Sequence, residues 1–421
     1  MNVAEHSLMD PTIQEDPYAY YAALREQAPV YRMPDLGAYL VTRYRDVKTV
    51  IAHPEVWSID LVRYTGSSMF QHREALEVFE REGYPRNTKL STDPPDHRTY
   101  RSIVDTSFTA GRVKALAEFV QTSVDELALE MAAAGEVEFQ QAFGWRLPIC
   151  VISRLLGVPP EDAPRIKAWS DIWLEPLGYG LSKQREIEVA KSGVELQRYL
   201  DAQFERKRSD PGEDILTDIV RARLPDASPL PDADRMGLAE HIIVGGHETV
   251  TSALAAGMLL LIQNPGVEAE LRRDPALVKN FVEEVLRLES PSQGFFRYAL
   301  RDADLAGVEI PKGSMVHLRF GAANRDPAQF PDPDVLDLHR KNAGSHMAFS
   351  QGEHHCLGAP LARLELQTAF GTLLRRFDPF ALTPGKNSLE HLPGLSLRSL
   401  RDLTLTVTPA GQKRPAGRGT R

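Results

Sequence analysis

The segment Phe349-Ser350-Gln351-Gly352-Glu353-His354-His355-Cys356-Leu357-Gly358 is the strongest constraint on what this chain can build. Glycines bracket a cysteine, and a helical pattern starts near Leu357, accepts Pro360 in its first turn and runs to Arg376. Backbone N–H groups at a helix start favour a thiolate, and glycine at 352 and 358 lets a flat, bulky cofactor approach the sulfur. Cysteine ligation of haem iron needs such surroundings. For a lone cysteine an inert, buried thiol is the plainer explanation, but the whole spacing outweighs it. Zinc held by His346, His354, His355 and Cys356 is a weaker alternative, because no second close-spaced ligand pair is present.

Composition narrows the class further. Of 421 residues, 42% are apolar and 25% charged, ordinary values for a globular chain. A net charge of -9 writes neither a nucleic-acid grip nor an anionic-membrane anchor into the bulk. Two distant cysteines, Cys150 and Cys356, exclude a disulfide framework and fit a reducing compartment. Glu5, Asp10, Glu15 and Asp16 stand where a targeting segment would be basic and apolar. The longest apolar stretch, Val250 to Ile262, is broken by Thr251 and Ser252 and is too short to span about 30 Å of hydrocarbon. It reads as a buried helix in a cytoplasmic protein.

Along the chain, Asp16-Pro17 supplies an N-cap and first helical position for a run to Gln27, Ala38 to Thr42 reads as a strand, and Asp46 to Ala52 as a helix. From Trp57 to Arg86 the pattern breaks into an irregular connection of the kind that often forms a lid. Helix dominates from Asp93-Pro94-Pro95 to Gln263, and Asp274-Pro275 opens another helix to Glu289. Phe295 to Val316 alternates as small strands, and a proline-rich meander from Asp326 to Asp334 precedes Cys356. Residues 1–410 form one unit. The basic, Gly-rich tail 411–421 reads as disordered.

Five further runs accompany the cysteine segment: Asp93-Pro94-Pro95-Asp96-His97 with Arg101, Gly245-Gly246-His247-Glu248-Thr249, Glu284 with Arg287, and Asn324-Arg325-Asp326-Pro327, besides the Asp16-Pro17 entry. With them the chain resembles, over nearly its whole length, the cytochrome P-450 superfamily of haem-thiolate monooxygenases. The resemblance implies a mainly α, triangular single-domain fold with a small β-rich region, and haem b between the Gly245–Thr249 helix and the Cys356 loop. It implies insertion of one atom of dioxygen into a mainly apolar small organic substrate. NAD(P)H would supply two electrons through a separate ferredoxin or flavodoxin, to a protein read as a monomer. A haem-dependent peroxygenase or rearrangement enzyme is one alternative and a non-catalytic haem-binding sensor another. The Glu248-Thr249 pair favours dioxygen activation.

Residue by residue, the resemblance makes Cys356 the iron ligand and His97, Arg101, Arg297 and His354 the partners of the haem propionates. Adjacent glycines inside a helix cost about 1 kcal/mol each relative to alanine, so Gly245 and Gly246 need a reason: close helix packing, or an opening that admits dioxygen. At the same site Thr249 supports the oxygen with its hydroxyl and Glu248, in place of the family's frequent aspartate, relays protons. Glu284 and Arg287 are expected as a buried clamp beneath the haem, but Val335-Leu336 stands where the family's meander Arg-Phe belongs. Pocket positions are Trp57, Phe70, Trp173, Val244, Phe295 and Phe296, with Arg63, His72 and Arg73 as carboxylate anchors. Arg98, Arg112, Lys114, Arg340, Lys341 and Arg363 are expected to form a local basic face for the electron donor.

Overall fold

A helix that is apolar all round has to be enclosed. Asp232–Gln263, 32 residues long, is that helix. Asp232 and Asp234 complement its N-terminal dipole, and Asn264, whose side-chain amide donates to Leu260 O at 2.9 Å, ends it before Pro265. By length and composition it is apolar enough to cross a membrane, but 67% of its most apolar window is buried inside the fold. Around it pack Arg146–Leu156, Ala163–Leu174, Val278–Glu289 and Ala359–Arg376. Two glycines set how near these neighbours come. A Cβ at Gly246 would lie 2.7 Å from Ile152 Cδ1, and one at Gly257 would lie 2.4 Å from Phe370 Cζ. The computed structural model describes residues 1–65, 70–85, 89–177 and 180–411; Arg86 and nearly all of the basic tail lie outside them.

The β-rich side is a five-stranded sheet in the order Val30–Arg32, Tyr39–Val41, Met315–Arg319, Gly294–Ala299, Trp57–Ser58, with Tyr39–Val41 parallel to Met315–Arg319 and the other pairs antiparallel. Phe296 stands opposite His317 and Arg297 opposite Val316. Successive side chains leave opposite faces of a strand, so Phe295 and Arg297 share one face and Phe296 takes the other. A three-stranded sheet joins Glu136–Glu138, Thr404–Thr406 and Ala381–Leu382, and a hairpin pairs Ala303–Leu305 with Val308–Ile310.

Several boundaries differ from the sequence reading. Pro17 is itself the N-cap of Tyr18–Gln27, one position later than expected. The helix expected from Asp46 starts at Tyr44, whose N–H is held by Asp326 Oδ2 at 2.9 Å. Pro275–Leu277 is a single 3-10 turn ahead of Val278–Glu289. The largest difference lies in the stretch read as irregular, which contains the helices Leu61–Thr65 and Arg73–Glu82. Arg73–Glu82 owes its order to tertiary contact. Phe79 and Trp173 fill the notch at Gly193 of Lys183–Ser209, and Glu186 from that helix accepts the N–H groups of Gln71 (3.0 Å) and His72 (2.8 Å), capping the shorter helix from outside.

Candidate functional site

Cys356 precedes the Ala359–Arg376 helix by three residues, and its own N–H donates to Phe349 O at 2.8 Å, closing the loop. Gly352 adopts φ +68°, and a Cβ there would come within 3.3 Å of Ile51 Cγ2, so backbone and space both call for glycine. A Cβ at Gly358 would meet the Cys356 sulfur only at 4.0 Å, an ordinary contact. Solvent reaches Cys356, yet protein crowds the sulfur. Burial pushes the thiol up; the N–H groups of Gly358 and Ala359 and the charges of Arg101 and Arg363 only partly offset it. The helix start does lower the thiol, as the sequence suggests, but burial outweighs it. A bound metal cation is what deprotonates a coordinating thiol. The sequence also gave no sign of Ser350, which takes φ +56° and buries a hydroxyl that has no partner.

Four cationic or imidazole groups collect beside this loop. The rings of His97 and His354 lie 4.0 Å apart between centroids, and Arg101 Nη1 donates to His355 O at 2.9 Å while its Nε meets Asp105 at 2.7 Å. Arg297 is 3% exposed and, among the described residues, makes one side-chain hydrogen bond, from Nη1 to Phe296 O at 2.9 Å. Burial pulls its pKa down to about 10, opposed only by Asp93. Burial, then His97, Arg297 and Arg101, pull His354 down to about 3. Among the described residues His97 Nδ1 and His354 Nε2 are buried without a hydrogen-bond partner. Buried polar atoms of this kind call for a ligand or water. A dianionic ligand edge answers both the positive charge and the orphaned nitrogens.

On the long helix the two glycines divide. Gly246 serves packing against Ile152, whereas Gly245 is exposed and a Cβ there would meet nothing within 4 Å. One turn on, Thr249 is half-buried and its hydroxyl makes no hydrogen bond among the described residues, while Thr251 and Ser252 bond back to His247 O and Glu248 O at 3.0 Å. Glu248 Oε1 lies 3.0 Å from Lys167 Nζ and 3.2 Å from His247 Nε2. Burial pushes Glu248 up, but His247 and Lys167 outweigh it and hold the carboxyl at about 2.

The missing meander arginine is found in Arg340. Its Nε sits 3.1 Å from Glu284 Oε1, its Nη1 donates to Pro331 O at 2.6 Å, and its Nη2 to Asp332 O and Val335 O. Arg287 grips the same carboxylate at 2.6 and 2.8 Å. Arg340, 7% exposed, is thus removed from the basic face on which the sequence placed it. Three other members of that face are already paired: Arg98 with Glu353, Arg112 with Asp218, Arg363 with Glu283. Only Lys114 and Lys341 carry no ion pair among the described residues.

The pocket positions separate into two groups. Phe70, Phe79 and Trp173 pack edge to face in one cluster, with Val244 of the long helix against it. Phe295, exposed, stands on the Arg297 face. Phe296 does not: it turns to the opposite face, meets His317 edge-on at 4.6 Å and joins the N-terminal cluster. Trp57 is buried in the sheet's own core. Arg73 and His72 are taken by Glu80 and Glu186, whereas Arg63 lies exposed over Tyr64 with no carboxylate paired to it among the described residues. A groove of about 490 Å³ between Pro265–Arg273 and the meander shares no residue with the cysteine-loop site.

Comparison with known proteins gives this arrangement its class. The model of the family described as Cytochrome P450 matches residues 188–404. The chain is 35% identical over 411 residues to the cytochrome P450 monooxygenase PikC of Streptomyces venezuelae, covering 96% of this chain and 94% of that one. It is 33% identical over 411 residues to the vitamin D(3) 25-hydroxylase of Pseudonocardia autotrophica, covering 96% and 97%. The solved structure of CYP109Q5 from Chondromyces apiculatus superposes with a TM-score of 0.83 at 30% identity, covering 96% and 98%. The chain belongs to the cytochrome P450 family. It is a P450 monooxygenase with haem as its cofactor, in the mainly helical single-domain fold of that family. The residues present fit haem: a thiol among backbone donors, and a buried arginine and two orphaned imidazoles suited to carboxylates.

Proposed function

We propose that Cys356 is the iron ligand, that His97, Arg101, Arg297 and His354 hold the haem propionates, and that a mainly apolar small molecule is hydroxylated beside Gly245 and Thr249. The observation that carries this reading is Arg297, buried to 3% exposure with no carboxylate bonded to it among the described residues, beside the His97 and His354 nitrogens that likewise lack a partner there. An unpaired buried charge is too costly to keep without a counter-ion. When bound, haem supplies an iron that activates dioxygen with two electrons, one oxygen atom entering the substrate and the other leaving as water.

The chain's own residues do the rest. Gly245 leaves the helix surface open, Thr249 offers an unengaged hydroxyl there, and Glu248 carries a proton toward it. Phe295, Val244 and the Phe70–Trp173 cluster supply apolar surface, in keeping with a relative named for a vitamin D(3) hydroxylation. Electrons come from NAD(P)H through a separate ferredoxin or flavodoxin. With Arg340 buried and three arginines paired, Lys114 and Lys341 are the cations left to steer it. The reduced, CO-bound protein is expected to show the red-shifted Soret band of a thiolate-ligated haem. Cys356→Ser abolishes it, and Cys150→Ser leaves it in place; persistence in Cys356→Ser overturns the assignment.

A further inference from the structure

His247 is fully buried, and its ring has one fixed role. Nδ1 lies 3.0 Å from Ile243 O, and a carbonyl can only accept, so Nδ1 carries the hydrogen. The neutral ring then turns the lone pair of Nε2 toward Glu248 Oε1, 3.2 Å away. Two lone pairs at that distance repel, and a proton between them makes the contact attractive. Among the described residues Nε2 has no other partner, and Oε1 has only the Lys167 ammonium, 3.0 Å away.

Asp171 completes the cluster. One ligand atom each from Asp171, His247 and Glu248 lies within 4.8 Å of the others, a separation one water spans. Asp171 is the solvent end, its side chain 49% exposed, against 17% for Glu248 and 0% for His247. The charged groups facing this space are Lys167 and Asp171 from Ala163–Leu174, and Glu248 and His247 from the long helix; Trp145, 6.0 Å from Lys167 Nζ, is uncharged. Lys167 meets both carboxylates. Two carboxylates, one ammonium and a neutral imidazole sum to one negative charge, so the cluster has room for one more proton.

We propose that His247 stores the proton that Glu248 delivers, and that Asp171 takes the replacement from solvent. The proposal rests on the reading of Glu248 as a relay. The balance is one proton in and one out: the Nε2–H proton moves to Glu248 Oε1, leaving a neutral ring and a neutral carboxyl. Glu248 releases the proton on its Thr249 side, and a solvent proton taken up at Asp171 restores His247. Burial raises the Asp171 carboxyl, Lys167 opposes it and Glu248 adds to it, a direction that favours proton uptake at this end of the cluster.

The test compares holoenzymes. Infrared difference spectra against pH, with Glu248→Gln identifying the Glu248 band, are expected to show the carboxyl's titration displaced in His247→Gln, which keeps a donor but cannot release a proton. In the same variant, product per NAD(P)H is expected to fall roughly tenfold or more, with haem content and the CO spectrum kept. Loss of product in Glu248→Gln with none in His247→Gln, and an unmoved band, overturns the role of His247 and leaves the relay standing. Full product in Glu248→Gln overturns the relay and this proposal with it. Should His247→Gln fail to load haem, Asp171→Asn on the half-exposed surface tests the same path. It is expected to enlarge the solvent deuterium isotope effect on product formation and Asp171→Glu to reverse that; an unchanged isotope effect overturns the path.

Discussion

Arg340 and Glu284, 56 residues apart, meet in the interior with Nε 3.1 Å from Oε1, and the same oxygen lies 2.6 Å from Arg287 Nε. One buried carboxylate thereby ties the Val278–Glu289 helix to the meander, whose carbonyls at 331, 332 and 335 the Arg340 guanidinium also gathers. Arg340→Leu leaves the Pro331 and Asp332 carbonyls without that donor, Val335 O with Arg287 alone and Glu284 with a single cation. Breaking a buried ion network costs about 3–5 kcal/mol, so the denaturation midpoint and the haem-to-protein ratio are both expected to drop. Arg340→Lys, lacking the planar fork, recovers only part. An unshifted midpoint in Arg340→Leu would mean that the meander holds itself.

The paired glycines of the long helix should respond oppositely to alanine. Gly246→Ala drives a methyl to 2.7 Å from Ile152 Cδ1, and overpacking of this sort costs about 1–3 kcal/mol. Gly245→Ala meets nothing within 4 Å and gains up to about 1 kcal/mol of helix preference. Its methyl, however, stands on the exposed surface one turn before Thr249. Stability rises in Gly245→Ala while the affinity of the ferrous protein for CO falls, and thermal melts with CO titration read the two effects separately.

Thr249→Val is nearly isosteric and removes a hydroxyl that bonds to nothing else described. Haem content, the thiolate spectrum and substrate binding are expected to persist, while reducing equivalents move from organic product to hydrogen peroxide. NAD(P)H consumed, product and peroxide are measured together with a saturating substrate and a competent redox partner. Undiminished product would assign Thr249 to helix packing.

Acid should weaken the fold through Glu283. Burial raises its carboxyl, but hydrogen bonds from Arg363 and His346 outweigh burial and bring it from the ordinary 4.5 to about 2. Below 4.5 the unfolded chain binds a proton that the folded chain refuses, so the stabilisation is full above 4.5 and is lost as pH falls toward 2. The shift corresponds to about 3 kcal/mol. Urea unfolding between pH 6 and pH 3 should show the decline, and Glu283→Gln should flatten part of it.

Local patterns carried the sequence reading where chemistry and spacing coincide. Cys356 with its glycines, the 245–249 run and the Glu284–Arg287 pair lie within one or two turns of chain, and each falls on the local element the sequence indicates: a loop before a helix, the long helix and a buried pair. Arg340 was misread because its partner is set by the path of the meander, not by neighbours in sequence. Arg73–Glu82 was missed because its cap, Glu186, and its notch, Gly193, belong to another helix. Phe295 and Phe296 could not be told apart without the register that puts Phe296 opposite His317. Lys167 and Asp171 drew no notice as ordinary charges on a helix, and only the crossing with the long helix brings them to Glu248.

Glu186 holding the residues that lead into Arg73–Glu82 also ties that helix to Lys183–Ser209. A helix whose opening N–H groups are satisfied by a neighbour's carboxylate has no self-sufficient start, and parting from that neighbour would strand two donors at once. With Phe79 lodged at Gly193, Arg73–Glu82 and Lys183–Ser209 pack as one unit. A substitution at either contact is therefore felt by both helices at once.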